Sequence, residues 1–255
     1  MFRCVNVYAK AKYGAKLVIF SLMLLKTLRE EVLEANLELV RRGLVLYTFG
    51  NASGIDRKKG LVAIKPSGIP YEELKPSHMV ISDLKGKVVE GKLRPSSDLA
   101  THLKLYREFA NIGGVAHTHS EYATAWAQAE KPIPCLGTTH ADYFHGPVPV
   151  TPRMTKEEIS GEYEEETGTV ICRTFAKLNP DAIPAVLVAG HAPFCWGKSP
   201  ADATHNAVIL EYVARMAAHS VSINAQARPL AQELHDKHFL RKHGRNAYYG
   251  QVKTS

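Results

Sequence analysis

Apolar positions along the chain switch between two spacings. Leu28, Val32, Ala35 and Leu39 recur every three to four residues, which sets them on one helical face and predicts a first helix over about 23–42, stopped by Gly43. Short β-like runs follow at Leu44–Phe49, Leu61–Lys65, Met79–Ser82 and Lys87–Glu90, with Lys85-Gly86 as the turn between the last two. These suggest an antiparallel portion. A helical stretch then runs from Ser97-Asp98 through Phe109, a buried strand from Ile112 to His117, and a further helical face carries Tyr122, Ala125, Trp126 and Ala129. Thr155 with Glu158 three residues on is a capping-box signature that opens a long, glycine-interrupted helical stretch to Leu178. Ala185 to Gly190 reads as a buried strand and Pro200 to Val221 as a helix. No internal repeat or low-complexity tract interrupts the pattern. The expected architecture is α/β: a single-domain, three-layer α/β/α arrangement around a central mixed, largely antiparallel sheet.

Composition adds bounds. With 255 residues, 45% of them hydrophobic, one large domain can bury a substantial core. Cys4, Cys135, Cys172 and Cys195 show no C-x-x-C spacing, so neither a disulfide framework nor a thiolate metal cluster is implied, and a reducing cytoplasm fits. The formal charge of +7 resides largely in the first 22 residues, where Arg3, Lys10, Lys12 and Lys16 have no acidic counterpart. The body holds no basic stripe interleaved with aromatics, which argues against nucleic acid and for a small anionic substrate. The apolar run Leu17–Leu25 is too short for a membrane span and passes into the charged Lys26-Thr27-Leu28-Arg29-Glu30-Glu31 with no small-residue cleavage site. Residues 1–22 are therefore expected to be an extension outside the fold, with Met23 a natural start, and 23–255 to form the catalytic domain.

Candidate chemistry gathers at the ends of apolar runs. On a strand, residues two apart face the same way, so His117 and His119 present two imidazoles side by side. His191 ends the run Ala185–Gly190, and Asp98 closes the polar loop Arg94-Pro95-Ser96-Ser97. Three histidines and a carboxylate suit a zinc ion with an open position, which stabilises negative charge developing on a substrate oxygen. Lys65-Pro66-Ser67-Gly68 offers a cation, a hydroxyl and a closely approachable amide, while Ser96-Ser97 precedes a helix N-terminus that favours an anion; Gly50-Asn51 adds a donor. These loops read as a phosphate site.

The combination Gly50-Asn51-Ala52-Ser53, Lys65-Pro66-Ser67-Gly68, Pro95-Ser96-Ser97-Asp98, His117-Thr118-His119-Ser120 and His191 resembles the class II aldolase family of sugar-phosphate aldolases and epimerases. Gly137-Thr138-Thr139-His140-Ala141-Asp142-Tyr143-Phe144 and the tail from His238 to Gln251, containing Lys242-His243-Gly244 and Tyr248-Tyr249-Gly250-Gln251, resemble its L-ribulose-5-phosphate 4-epimerase branch. The match covers about 23–251.

The resemblance implies one zinc ion per subunit, held by His117, His119 and His191 with Asp98 nearby. It implies a phosphate site of Asn51, Ser67, Gly68, Ser96 and Ser97, with Lys65 as a further substrate contact. Asp142 and Tyr249 fall on an acid/base pair, with His238 contributing and Tyr248 the rival for Tyr249. The implied assembly is a cytoplasmic homotetramer with sites at subunit interfaces, acting on a phosphorylated ketopentose in arabinose or ascorbate breakdown. Ala189-Gly190 depart from the polar residue that relatives often place before the third ligand, which puts a hydrogen bond to His191 in doubt. Two other readings stay open. One is a true aldolase for fuculose or rhamnulose 1-phosphate, whose relatives commonly carry Glu at the Asp98 position; the other is a non-catalytic module that has lost the metal.

Overall fold

A computed structural model of the chain describes residues 23–249; the proposed extension of 1–22 lies outside them. Seven strands form one sheet: β1 (Asn51–Asp56), β2 (Leu61–Ile64), β3 (Val80–Asp83), β4 (Val88–Glu90), β5 (Gly114–His117), β6 (Ala185–Leu187) and β7 (Pro193–Gly197), in the order β4-β3-β2-β1-β5-β7-β6. Every pairing between these strands is antiparallel. The largely antiparallel sheet that was expected is present, its parallel component being the isolated bridge Val150↔Leu187.

Side chains alternate across the sheet and divide the core in two. Ile55, Val62, Ile64, Val115, Val186, Phe194 and Trp196 face α2 (Leu99–Glu108) and α6 (Tyr163–Thr174). Ala52, Ala116, Ala185, Leu187 and Cys195 point the other way, into a core shared with α1 (Lys26–Arg41), α3 (Glu121–Gln128) and α7 (Pro200–Ile223). Three layers result. On α1, Val32, Ala35 and Leu39 form the buried face that their spacing predicts. The polar Asn36 is buried among them because it completes the edge of β1, donating to the Ala52 carbonyl (3.0 Å) and accepting from the Ala52 N–H (2.9 Å). Helix α7 starts where the Ser199 side chain accepts from Asp202 N (3.1 Å), with Pro200 in its first turn.

The chain departs from the sequence reading at four places. Leu44–Phe49 is not a strand; it is an irregular segment in which Leu46, Tyr47 and Phe49 are exposed, and strand geometry begins only at Asn51. The stretch 155–178 is two helices, α5 (Lys156–Ser160) and α6, parted at Gly161; its capping box between Thr155 and Glu158 is present as expected. The strand expected over Ala185–Gly190 ends at Leu187 because the chain turns back there, with Val188 N donating to Ala192 O (3.0 Å). The short α4 (Thr138–Ala141) and the polar α8 (Gln232–His243) carry no clear periodic signal and are additions.

β5 lies inside the sheet between β1 and β7, and its Gly114 allows α7 to press on it. A Cβ on Gly114 would lie 2.3 Å from Ser199 O and 2.5 Å from Pro200 N, both backbone atoms that cannot step aside. Gly114→Ala is therefore expected to cost at least about 2 kcal/mol through overpacking, read as a lowered urea midpoint at unchanged slope. A midpoint within error of the parent would refute this account of how α7 seats.

Candidate active site

His117 is the last residue of β5 and sits opposite Asn51 of β1 and Phe194 of β7. The alternation that buries Val115 against α2 carries His117 to the same face. His119 lies two residues on. His191 enters from the turn between β6 and β7, where Gly190 takes a left-handed conformation (φ +69°) and His191 N donates to Val188 O (2.9 Å). The three rings converge: their centroids are 4.9, 5.0 and 5.1 Å apart, and one nitrogen from each lies within 4.8 Å of the others.

The protein fixes these imidazoles unequally. His117 Nδ1 is 2.9 Å from the Pro193 carbonyl, to which it donates, and its ring stacks on Phe194 at 4.1 Å; this sets the tautomer and leaves Nε2 as an electron-pair donor. His191 Nδ1 is buried with no partner among the described residues, as the small residues before it foreshadow. Burial pushes His191 down to about 4, and His117 and His119 add to the effect; burial and then His117 lower His119 as well. Neutral imidazoles that meet at one point fit a divalent cation, and nitrogen donors of this kind suit zinc.

Asp98 faces the same space, outside the trio of converging nitrogens. Its Oδ2 accepts from Asn51 Nδ2 at 2.6 Å. Burial alone would raise its carboxyl, but His117, His102 and the bond from Asn51 outweigh that and hold it below the ordinary carboxylate value. Asn51 Oδ1, like His191 Nδ1, is buried without a partner among the described residues. Orphaned buried polar atoms beside a cavity mark where a bound group belongs.

The phosphate-loop residues line this same cavity, of about 450 Å³: Asn51, Lys65, Ser67, Gly68, Ser96 and Ser97 surround it with the histidines. Backbone pairing brings the two loops together, since Ser67 N donates to Arg94 O and Ser96 N to Lys65 O, each at 3.0 Å. Those two N–H groups are committed, so Ser67 and Ser96 can meet an anion through their hydroxyls. Lys65 is buried, its ammonium 4.7 Å from the centre of the Tyr71 ring, and it forms no ion pair among the described residues. Desolvation brings it down to about 8, partly opposed by Asp98, so it is still cationic at neutral pH. A buried cation in need of a counter-charge suits an anionic group.

Tyr163, Glu164, Thr48 and Phe49 also line the cavity, and sequence reasoning missed them. Tyr163 comes within 6.4 Å of the His191 ring because α6 docks on α2, where Thr101 Oγ1 donates to Glu164 O (2.5 Å). No local signal announces such a tertiary contact. Phe49 stands 6.3 Å from the His119 ring.

Asp142, His238 and Tyr249 are brought together, but not with the histidine trio: they do not line its cavity. His238 Nδ1 is 3.0 Å from Asp142 Oδ1, and Arg241 grips both carboxylate oxygens at 3.0 and 2.8 Å. His243 Nε2 bonds the Asp142 carbonyl (2.9 Å), and Tyr249 lies over Arg241 and Lys242 at 4.6 Å. Burial works to raise Asp142, yet Arg241 and His238, helped by Lys242, leave it lowered and ionised. His140 is buried against Gly146 O (2.8 Å) and serves packing.

The comparison with known proteins decides the lineage. The model of the class II aldolase and adducin N-terminal domain matches residues 30–218. The chain belongs to that family. Among solved structures, an L-fuculose 1-phosphate aldolase is 28% identical, with a TM-score of 0.71 over 83% of this chain and 94% of that one. YgbL from Klebsiella pneumoniae, described as a candidate aldolase, epimerase or decarboxylase, is 27% identical with a TM-score of 0.67 over 83% and 97%. An L-fuculose-1-phosphate aldolase from Thermus thermophilus shares the fold at 22% identity and a TM-score of 0.63, over 80% and 100%. This class II aldolase domain has no described helix long and apolar enough to cross a membrane.

Lys65 yields a prediction whose sign follows from its lowered value. The ammonium is charged below about pH 8 and is lost above it, so affinity for inorganic phosphate should fall about tenfold between pH 7 and pH 9. In Lys65→Arg the affinity should stay flat over that range. Titration calorimetry at both pH values checks this, and an equal fall in Lys65→Arg would assign the effect to another group.

Proposed function

We propose that the protein is a metal-dependent sugar-phosphate enzyme that breaks and remakes a carbon–carbon bond, and specifically an L-ribulose-5-phosphate 4-epimerase. The observation that carries the finer reading is the packing of the two epimerase-like stretches on each other: Asp142 from one is held by His238, Arg241 and His243 from the other, about a hundred residues later. Asp98, where aldolases commonly carry Glu, supports it further.

The substrate's chemistry explains why an epimerase needs an aldolase's machinery. The C4 hydrogen of ribulose 5-phosphate is not adjacent to the carbonyl, so removing it leaves no stabilised carbanion. Cleavage is the alternative: the C4 hydroxyl loses its proton, the C3–C4 bond breaks, and its electrons move onto the carbonyl oxygen to give an enediolate and glycolaldehyde phosphate. A divalent cation at His117, His119 and His191, zinc by this donor set, supplies the Lewis acid that stabilises the charge on those oxygens.

The chain's own residues do the rest. Lys65 and the hydroxyls of Ser67 and Ser96, with Gly68, Ser97 and Asn51, hold the phosphate while the aldehyde rotates to present its other face. Re-addition then inverts C4, provided a proton acceptor or donor stands on each side of the aldehyde oxygen. Asp142 and Tyr249 take those two roles, with His238 beside Asp142. Because their cluster does not line the histidine cavity of its own chain, we assign them to the cavity of a neighbouring copy in a homotetramer. The second reading, an aldolase releasing dihydroxyacetone phosphate, is favoured by the 28% identity to an L-fuculose 1-phosphate aldolase.

Incubation with L-ribulose 5-phosphate should yield D-xylulose 5-phosphate, and a chelator should abolish the conversion. Full activity after demonstrated demetallation would sink the proposal, and free dihydroxyacetone phosphate from fuculose 1-phosphate would move it to the aldolase. Asp142→Asn and Tyr249→Phe should each slow turnover about a hundredfold, within the range of a lost acid or base. His119→Ala should be inactive and lose metal. If sites are shared between copies, co-assembled Asp142→Asn and His119→Ala chains regain activity that neither has alone; no regain would place each site within one chain.

A further inference from the structure

His145, His235 and Asp236 form a second convergence of ligand atoms, which the proposed reaction does not use. One donor atom from each lies within 4.8 Å of the other two. His145 follows α4 by a few residues, and the other two are on α8. His145 Nε2 is 2.9 Å from Asp236 Oδ1. His235 Nε2 lies 3.1 Å from the Phe144 carbonyl and also 3.1 Å from the Gly146 N–H, which donates to it; Nδ1 carries a lone pair in the tautomer that donates to Phe144, and is 3.3 Å from the Gln232 amide nitrogen. That same nitrogen donates to Asp236 Oδ1 at 2.8 Å. In that tautomer the amide of Gln232 stands where acceptors on adjacent residues of one helix meet, a place that a cation can take over.

We propose that these three residues are a second divalent-cation site, of the zinc or nickel class, which ties α8 to the segment 142–146. Two imidazoles and a carboxylate suit such ions. The cation takes the place of the hydrogen between His145 Nε2 and Asp236 Oδ1, and the ring keeps its N–H on Nδ1. His235 is buried and its ring lies nearly parallel to that of His145 (19°, 4.9 Å between centroids), whereas His145 and Asp236 keep 39% and 42% of their side-chain surface, so entry from solvent is open. The consequence reaches Asp142. The segment carrying it and the helix carrying His238 and Arg241 are the two parts that the ion joins, so occupancy clamps that cluster.

The test is zinc titration of metal-stripped protein by calorimetry and equilibrium dialysis. The unaltered chain should bind two equivalents, His119→Ala one, Asp236→Asn one, and the double variant none. Asp236 is half-exposed and Asn keeps an oxygen to accept from Gln232, so its replacement by Asn leaves folding intact; His145→Asn should reproduce it, with affinity at the second site reduced at least about tenfold. Zinc should raise the melting temperature of His119→Ala but not of the double variant. A second equivalent that survives both Asp236→Asn and His145→Asn overturns the proposal. So does a single equivalent abolished by His119→Ala, which leaves the three-histidine reading standing. A single equivalent abolished by Asp236→Asn instead supports this site and removes that reading.

Discussion

The hydrogen bond from His117 Nδ1 to the Pro193 carbonyl is the constraint on which the site is built. It joins the end of β5 to the start of β7 and needs both strands in register, which the pairing of His117 with Phe194 provides. With the ring stacked on Phe194 and its tautomer set, the remaining nitrogen points where His119 and His191 can meet it. The loops that line the cavity answer to the same sheet. Lys65 continues β2, Asn51 begins β1 directly opposite His117, and Asp98 is held by Asn51. A slip of one residue between β1 and β5 would turn Asn51 or His117 to the opposite face.

Much of this was legible from the sequence because burial writes a period into it. The faces of α1, α2, α3 and α7 and the strands β2 to β5 follow from apolar spacing, and the histidines show at strand ends. The misses have a common cause. β1 reads Asn-Ala-Ser-Gly-Ile-Asp, with polar Asn51 and Ser53 at positions that would be apolar in a structural strand. Asn51 serves the cavity, and Ser53 sits in a buried network with His102 and Tyr106 at 2.7 and 2.8 Å. Polar side chains at these two buried positions erased the alternation that would have announced the strand. The apolar residues of Leu44–Phe49 misled in the opposite sense, since Leu46, Tyr47 and Phe49 are exposed and Phe49 stands at the cavity wall.

Long-range assembly was the part that no local pattern could carry. Helix α8 is too polar for a periodic signal because His238, Arg241 and His243 turn to Asp142. Tyr163 and Glu164 reach the cavity only through the docking of α6 on α2. Charge distribution explains both ends of the molecule's chemistry. Lys65 is buried and forms no ion pair among the described residues, whereas Asp142 is surrounded by more positive groups than one carboxylate neutralises. Each region is electrostatically incomplete and is suited to an anion.

The acceptor that orients His117 is a main-chain oxygen, and this has an evolutionary consequence. A carbonyl is supplied by every residue type, so no single side-chain replacement at Pro193 can delete it. Drift can therefore rework the surrounding loops, and with them the choice of sugar, while the anchoring ring keeps its aim. Descendants of one ancestral scaffold could diversify in this way without reinventing their reactive centre.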